Sequence, residues 1–321
     1  MSSAFNISAK SKEDALVASL DQVAKMSLRE LSNAPIFSQL RPNCAVKSAL
    51  KLMPMNFFCV TALMLLTGCA HSLATKSNNL TYAVAWKKTS AEYEALFHQG
   101  FNVARQRVET ALRVSGPSMP RLAVISDVDD TLLLSTAYWA DLISTNKEFF
   151  EDRAWDEWVE TNDAEASPGA IEFLNFCAEN SVEVFYVTNR DQGEQTKNIL
   201  MTALKKLRFP YVDEEHVFVL RTSSNKEPVR KKISEQYKVV VYLGDNLNDF
   251  NRSYYSGDVW SRKDQLTRDI EKFGSRFVLF PNPTDGHWLK AIFGVSEPEP
   301  TAENKALMRQ VVTESKTARP D

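Results

Sequence analysis

The chain has 321 residues, 44% hydrophobic and 25% charged, which suits one large globular domain or two modest ones. A formal net charge of −3, with no basic tract, zinc spacing or RNA-binding signature, gives no footing for a nucleic-acid polymer as partner. Cys44, Cys59, Cys69 and Cys177 form no CxxC pair, and His71, His98, His216 and His287 form no cluster, which argues against a disulfide framework, a zinc enzyme and a histidine-based hydrolase.

The first informative stretch is "FFCVTALMLL", residues 57–66. Ten apolar residues are too few for a bilayer span, which takes about 20. They suit the apolar region of a secretory signal, with Lys47 and Lys51 ahead of it. "LTGC" follows and resembles a bacterial lipobox, in which Cys69 is acylated and becomes the mature N-terminus. Ala70 comes next, with no Asp to suggest retention at the inner membrane. The analogy therefore points to an outer-membrane lipoprotein facing the periplasm, held there by its acyl chains. The plain alternative is a buried core helix with an ordinary cysteine. Residues 1–68 are longer than a leader of about 15–30 residues, so the true start is expected downstream of residue 45, for example at Val46.

Residues 82–113 have helical periodicity, with Trp86, Tyr93, Leu96, Phe97, Phe101 and Ala104 on one broad face and Ser90 as a candidate N-cap. "SGPSMPR" breaks the pattern at 115–121 and closes an N-terminal helical segment, 69–118. Strand-like runs at 122–126, 182–188, 217–220, 239–243 and 277–280 then alternate with helical stretches such as 168–179, where Ser167 reads as the N-cap. Short continuous apolar strands separated by helices predict an α/β fold, a doubly wound parallel sheet over 119–294. An insert at about 132–167, rich in aromatics, predicts a small, mostly helical cap. Residues 295–321 read as a polar, mobile tail with at most a short helix.

The chemistry lies at the strand ends. The first strand runs into "DVDDT", placing Asp127, Asp129 and Asp130 within four positions. Two unit charges about 4 Å apart repel by roughly 4 kcal/mol at an effective dielectric of about 20. The second strand ends in "VTNR", with Thr188, Asn189 and Arg190. Lys226 opens a later helix, and the fourth strand ends in "GDNLNDF", with Asp245 and Asp249. In a parallel sheet these ends share one edge, where ligands bind. Oxygen ligands without His or Cys suit Mg²⁺, which also takes phosphate oxygens. Thr188 and Lys226 can hold a phosphoryl group, Asp127 can attack phosphorus, and Asp129 can protonate the leaving alkoxide and then activate water.

These four motifs, in this order, resemble those of the haloacid dehalogenase (HAD) superfamily. The match is closer to the bacterial class C acid phosphatases, the lipoprotein e type of 5′-nucleotidase. "VISDVDDTLLLSTAY" and "GDNLNDF" resemble that family's two signatures; "SPGAIEF", "VFYVTNR", "SNKEPVRKK" and "FPNPTDGHW" are similar too. The resemblance implies a Mg²⁺-dependent phosphatase for small phosphomonoesters, nucleoside 5′-monophosphates foremost. It implies Asp127 as nucleophile and metal ligand, Asp129 as acid/base and as metal ligand through its backbone carbonyl, and Asp245 as third ligand. Thr188, Asn189 and Lys226 would surround the phosphate, Asp249 would support the metal site, and Tyr138 together with Trp155 or Trp158 would meet the substrate's base. Two positions depart: Asp130 stands where the family usually has Glu, and Asp285 where an aromatic is common. Asp130 is the one of the three aspartates expected to tolerate change best. A phosphotransferase or sugar-phosphate phosphatase on the same fold, and a surface lipoprotein that binds ligand without turnover, remain open. The sequence leaves the oligomeric state undetermined.

Overall fold

A computed structural model describes residues 78–116 and 118–313. The leader 1–68, Cys69 and its acylation lie outside the described residues, as does the end of the chain, 314–321.

Five parallel strands form the sheet: β1 (Leu122–Ser126), β4 (Glu183–Asn189), β5 (Val217–Leu220), β6 (Lys238–Gly244) and β7 (Phe277–Leu279). Their spatial order is β5-β4-β1-β6-β7. Chain order reverses at β1, so the crevice beyond the carboxyl ends of β1 and β6 is where a ligand belongs. Leu122 and Val124 face one apolar cluster, while Ala123 and Ile125 face another, because alternate strand residues point to opposite faces. Helices α2 (Ala91–Val114), α5 (Ala170–Glu179) and α6 (Thr196–Lys206) cover the first face, and α7 (Glu227–Gln236) covers the second. This is the doubly wound sheet that the continuous apolar runs predict.

The expected helix over 82–113 divides into α1 (Thr81–Thr89) and α2. Ser90 is extended between them (φ −91°, ψ 130°), and its Oγ accepts from the Tyr93 amide at 3.1 Å. It is the N-cap the sequence suggests, and capping α2 ends α1. Phe97 and Phe101 pack on Phe280, with centroids 5.1 and 4.6 Å apart. Gly100 lies between them: a Cβ there would stand 2.5 Å from Phe280 Cε1. Each buried Phe contributes about 1.5–3 kcal/mol. Leu96, expected on the same face, is 40% exposed and turned outward.

The cap consists of α3 (Thr136–Ser144) and α4 (Asp152–Thr161), closed at its base by the two-residue antiparallel pair β2 (Leu133–Leu134) and β3 (Glu165–Ala166). Ser167 is not the cap of the next helix. Helix α5 starts at Ala170, after Gly169 in the left-handed region (φ 86°), and Ser167 Oγ instead donates to the Thr131 carbonyl at 2.7 Å. The base of the cap is thereby tied to the loop after β1.

Helix α8 (Val259–Asp269), the short α9 (Trp288–Phe293) and α10 (Ala302–Thr313) complete the described chain. The stretch read as a mobile tail folds back in its described part. Met308 shares an apolar groove with Trp139, Phe149 and Leu289, and Lys305 pairs with Glu148 at 3.5 Å. Cys177 is fully buried in α5, as its apolar neighbours suggest, and burial pushes its thiol up to about 12.

Candidate active site

The loop after β1 is a compact turn. The Val128 carbonyl accepts from the amides of Thr131, Leu132 and Leu133, at 3.3, 2.8 and 2.9 Å. The Asp127 amide donates to the Leu243 carbonyl of β6 at 2.9 Å, and Asp130 sits at φ 54°, a conformation Asp tolerates better than most residues. The turn sends its three carboxylates in three directions.

Asp127 points toward β6. Lys226, on the loop before α7, forms ion pairs with Asp127 Oδ1 and, at 2.7 Å, with Asp249 Oδ1. Burial works against the Lys226 ammonium, but Asp127 and Asp249 outweigh it and hold its pKa above the usual lysine range. Burial also raises Asp127, against the pull of Lys226 and with added repulsion from Asp249.

Asp129 points toward β4. Arg190 grips it with two donors, Nε to Oδ2 at 2.7 Å and Nη2 to Oδ1. Thr188 Oγ1 lies 3.4 Å from the same carboxylate. Burial outweighs the guanidinium and lifts the Asp129 pKa, the direction a proton donor needs.

Asp130 points away from the reaction and is buried. Its Oδ1 accepts from Lys87 Nζ at 2.9 Å and from the Ser135 amide at 3.1 Å, and its Oδ2 accepts from Ser135 Oγ at 2.6 Å. Lys87 also donates to Thr284 Oγ1 at 3.0 Å. Asp130 is therefore a junction between α1, the loop after β1 and the loop after β7. Its full set of buried partners argues against the expectation that it is the aspartate of the three that tolerates change best.

Asp245 and Asp249 follow β6. Asp245 Oδ2 accepts from Asn282 Nδ2 at 2.8 Å. Asp249 Oδ2 accepts from the Asn246 amide at 3.0 Å, closing a capping box around the short turn Leu247–Asp249. Gly244 makes room: a Cβ there would stand 2.5 Å from Asp249 Oδ2. One oxygen from each of Asp127, Asp245 and Asp249 lies within 4.8 Å of the other two. Burial, then repulsion from Asp249 and Asp127, pushes the Asp245 pKa well above the ordinary carboxylate range.

Around this cluster stand four carboxylates (Asp127, Asp129, Asp245, Asp249) against two paired cations, Lys226 and Arg190. The all-oxygen donor set and the uncompensated charge fit a divalent cation. The carboxylate of Asp129 lies outside the trio, given over to Arg190.

The site opens into a cavity of about 540 Å³. Thr188, Asn189 and Lys226 line it, as expected. The Asn189 amide is turned to the carbonyls of Leu220 and Ser223, so it braces the loop that carries Lys226. Of the three aromatics expected near substrate, only Trp155 lines the cavity. Tyr138 is 1% exposed in the cap core, its hydroxyl accepting from the Glu151 amide at 2.9 Å, and Trp158 packs beside it. The cavity wall is completed instead by Trp139 and Phe150. Asp285 and His287 come from the loop after β7. Burial, with Asp130 and Glu297 nearby, pushes Asp285 up to about 6. Burial, with Arg262 and Lys226 adding, lowers His287 to about 4; neutral, its Nδ1 accepts from Asn246 Nδ2 at 2.9 Å.

Sequence reasoning did not assign Lys87, Trp139, Phe150 or Asn282, and it named Arg190 without a role. Arg190 had a signal, its place at the tip of a strand beside Thr188. Lys87 had almost none, because its partner lies 43 positions away.

A family model described as HAD superfamily, subfamily IIIB (acid phosphatase) matches residues 70–288. Among solved structures, the chain is similar to the class C acid phosphatase from Bacillus anthracis, known with tungstate bound and in a second structure. Each shares 27% identity over 75% of this chain and 97% of that chain, with a TM-score of 0.67. The family match spans more than half of the chain and takes in all four strand-end motifs. The chain belongs to the HAD superfamily, subfamily IIIB, the acid phosphatases, and it is a phosphomonoesterase.

Proposed function

We propose that the chain is a Mg²⁺-dependent acid phosphatase acting on small phosphomonoesters, nucleoside 5′-monophosphates among them, through a phosphoryl group carried on Asp127. The carrying observation is the trio Asp127, Asp245 and Asp249, two of them buried and Asp245 half-buried, with the Lys226 ammonium between Asp127 and Asp249. Asp127, the backbone carbonyl of Asp129 and Asp245 would hold the cation, with Asp249 in support. The bound cation supplies positive charge to the phosphoryl oxygens. Lys226 and Thr188 orient those oxygens, and Asn189 keeps the lysine loop in place. Asp127 attacks phosphorus while Asp129, raised by burial and aimed by Arg190, gives its proton to the leaving alkoxide. Asp129 then takes a proton from the water that releases phosphate from Asp127. Phe150 and Trp155 offer flat apolar faces to a base or other bulky alcohol, with the buried Trp139 packed against Phe150.

The test is phosphate release from a phosphomonoester panel by the chain from residue 70 onward. Release should stop in EDTA, return with Mg²⁺, and be absent in Asp127→Asn. No turnover on any ester with Mg²⁺ present would overturn the reading. Acylation of Cys69 and an outer-membrane location belong to the same proposal. Labelling by radioactive palmitate, lost in Cys69→Ser, tests the first; fractionation of the envelope tests the second.

A further inference from the structure

The cavity is larger than a phosphoryl group needs, and its outer part combines two features. One wall is aromatic: Phe150 stands 5.6 Å from Trp155, and both rings line the space, with the buried Trp139 6.3 Å from Phe150. Two carboxylates, Asp285 and Glu297, line the same space. Neither belongs to the trio that suits a metal.

These acids lack a counter-charge of their own. The Asp285 carboxylate is met by the Gly286 amide, and among the described residues no ammonium or guanidinium forms an ion pair with it or with Glu297. Lys87 eases Asp285, but its ammonium is already given to Asp130 and Thr284. Lys290 also lines the cavity, yet its Nζ donates to the Gly294 carbonyl at 2.9 Å and lies 4.7 Å from the Tyr255 ring. Asp285 and Glu297 repel each other; Asp285 is half-buried, which raises its pKa, while Glu297 is exposed. A neutral apolar alcohol would desolvate them further without pairing them, which costs free energy. A cation would satisfy both, and the ring faces would attract it as well.

The geometry points to a substrate whose alcohol carries an organic cation, a quaternary ammonium or a charged heteroaromatic ring, seated between the aromatic wall and the carboxylates of Asp285 and Glu297. This deepens, and rests on, the phosphomonoesterase reading of the same cavity. Asp285 is then the residue that determines specificity.

Two matched pairs test it, with kcat/KM measured at pH 7 in Mg²⁺. Choline phosphate is compared with 3,3-dimethylbutyl phosphate, its neutral isostere. 1-Methyladenosine 5′-monophosphate is compared with N6-methyladenosine 5′-monophosphate, an isomer without the charge. The cationic member should be favoured about tenfold in at least one pair. That ratio should fall toward one in Asp285→Asn and be reduced in Glu297→Gln. Equal rates within both pairs would overturn the inference, as would a preference that survives Asp285→Asn. Release of phosphate from p-nitrophenyl phosphate but from no member of either pair would also overturn it, while leaving the phosphatase reading intact. Silence on every ester would remove both.

Discussion

Lys87 Nζ lies 2.9 Å from Asp130 Oδ1, and both side chains are buried. The pair joins α1 to the loop that carries Asp127 and Asp129. Removing one partner of a buried pair leaves an uncompensated charge, which costs about 3–5 kcal/mol. Lys87→Met is therefore expected to lower stability by about 3 kcal/mol or more in urea denaturation. Lys87→Met with Asp130→Asn should recover part of that loss. A single-variant loss under about 1 kcal/mol would mean that the pair is not what holds the loop.

Arg190 aims Asp129 through two donors of one planar group. Lysine can supply charge there but not the fork. Arg190→Lys should reduce kcat by about tenfold to a hundredfold with little change in KM, because proton delivery depends on orientation. The pH dependence of kcat should shift as well. An unchanged kcat and pH profile would deny Arg190 any part in placing the proton.

Gly244 faces Asp249 so closely that a Cβ would stand 2.6 Å from the Asp249 Cβ. Asp249 cannot swing clear without leaving Lys226 and the Asn246 amide. Gly244→Ala should cost about 1–3 kcal/mol in stability, as overpacking does. It should also raise the Mg²⁺ concentration needed for half-maximal activity. Thermal denaturation and a Mg²⁺ titration read the two effects separately.

The loop after β7 carries two groups that titrate in opposite senses. His287 has a folded pKa of about 4, below its ordinary 6.5, so the stability of the neutral form is complete above 6.5 and is lost as pH falls toward 4. Asp285 has a folded pKa of about 6, above its ordinary 3.8, so its contribution is complete below 3.8 and is lost as pH rises through 6. Each amounts to at most about 3–3.5 kcal/mol at 1.36 kcal/mol per pKa unit. Relative to the parent, Asp285→Asn should gain stability as pH rises from about 4 to 6 and then level off. His287→Gln should gain as pH falls from about 6.5 to 4. Urea denaturation across that range checks both signs.

The sheet was legible in the sequence because its strands are buried on both faces and read as unbroken apolar runs; β1 and β5 fall where the pattern places them. The acidic centre was legible because "DVDDT" and "GDNLNDF" put repelling charges at strand ends, where something must compensate them. Long-range pairing was not legible. Nothing near Lys87 announces Asp130, and nothing near Asn282 announces Asp245. The cap was half legible. Its aromatics marked it as special, but in a helix as short as α3, adjacent Tyr138 and Trp139 gave no basis for deciding which one would face the cavity.

The hydrogen bond between Lys87 and Thr284 spans 197 positions of the chain, and that between Asn282 and Asp245 spans 37. A chain is synthesised from its N-terminus, and its earlier parts begin to fold first. The loop with the nucleophile therefore exists long before the residues that brace it. Until Asn282 and Thr284 have left the ribosome, Asp245 lacks its bond from Asn282 and Lys87 has Asp130 but not Thr284, so the acidic centre is incompletely braced. Hydrolytic competence is therefore expected late in synthesis, and a chain cut short before residue 282 is expected to lack it.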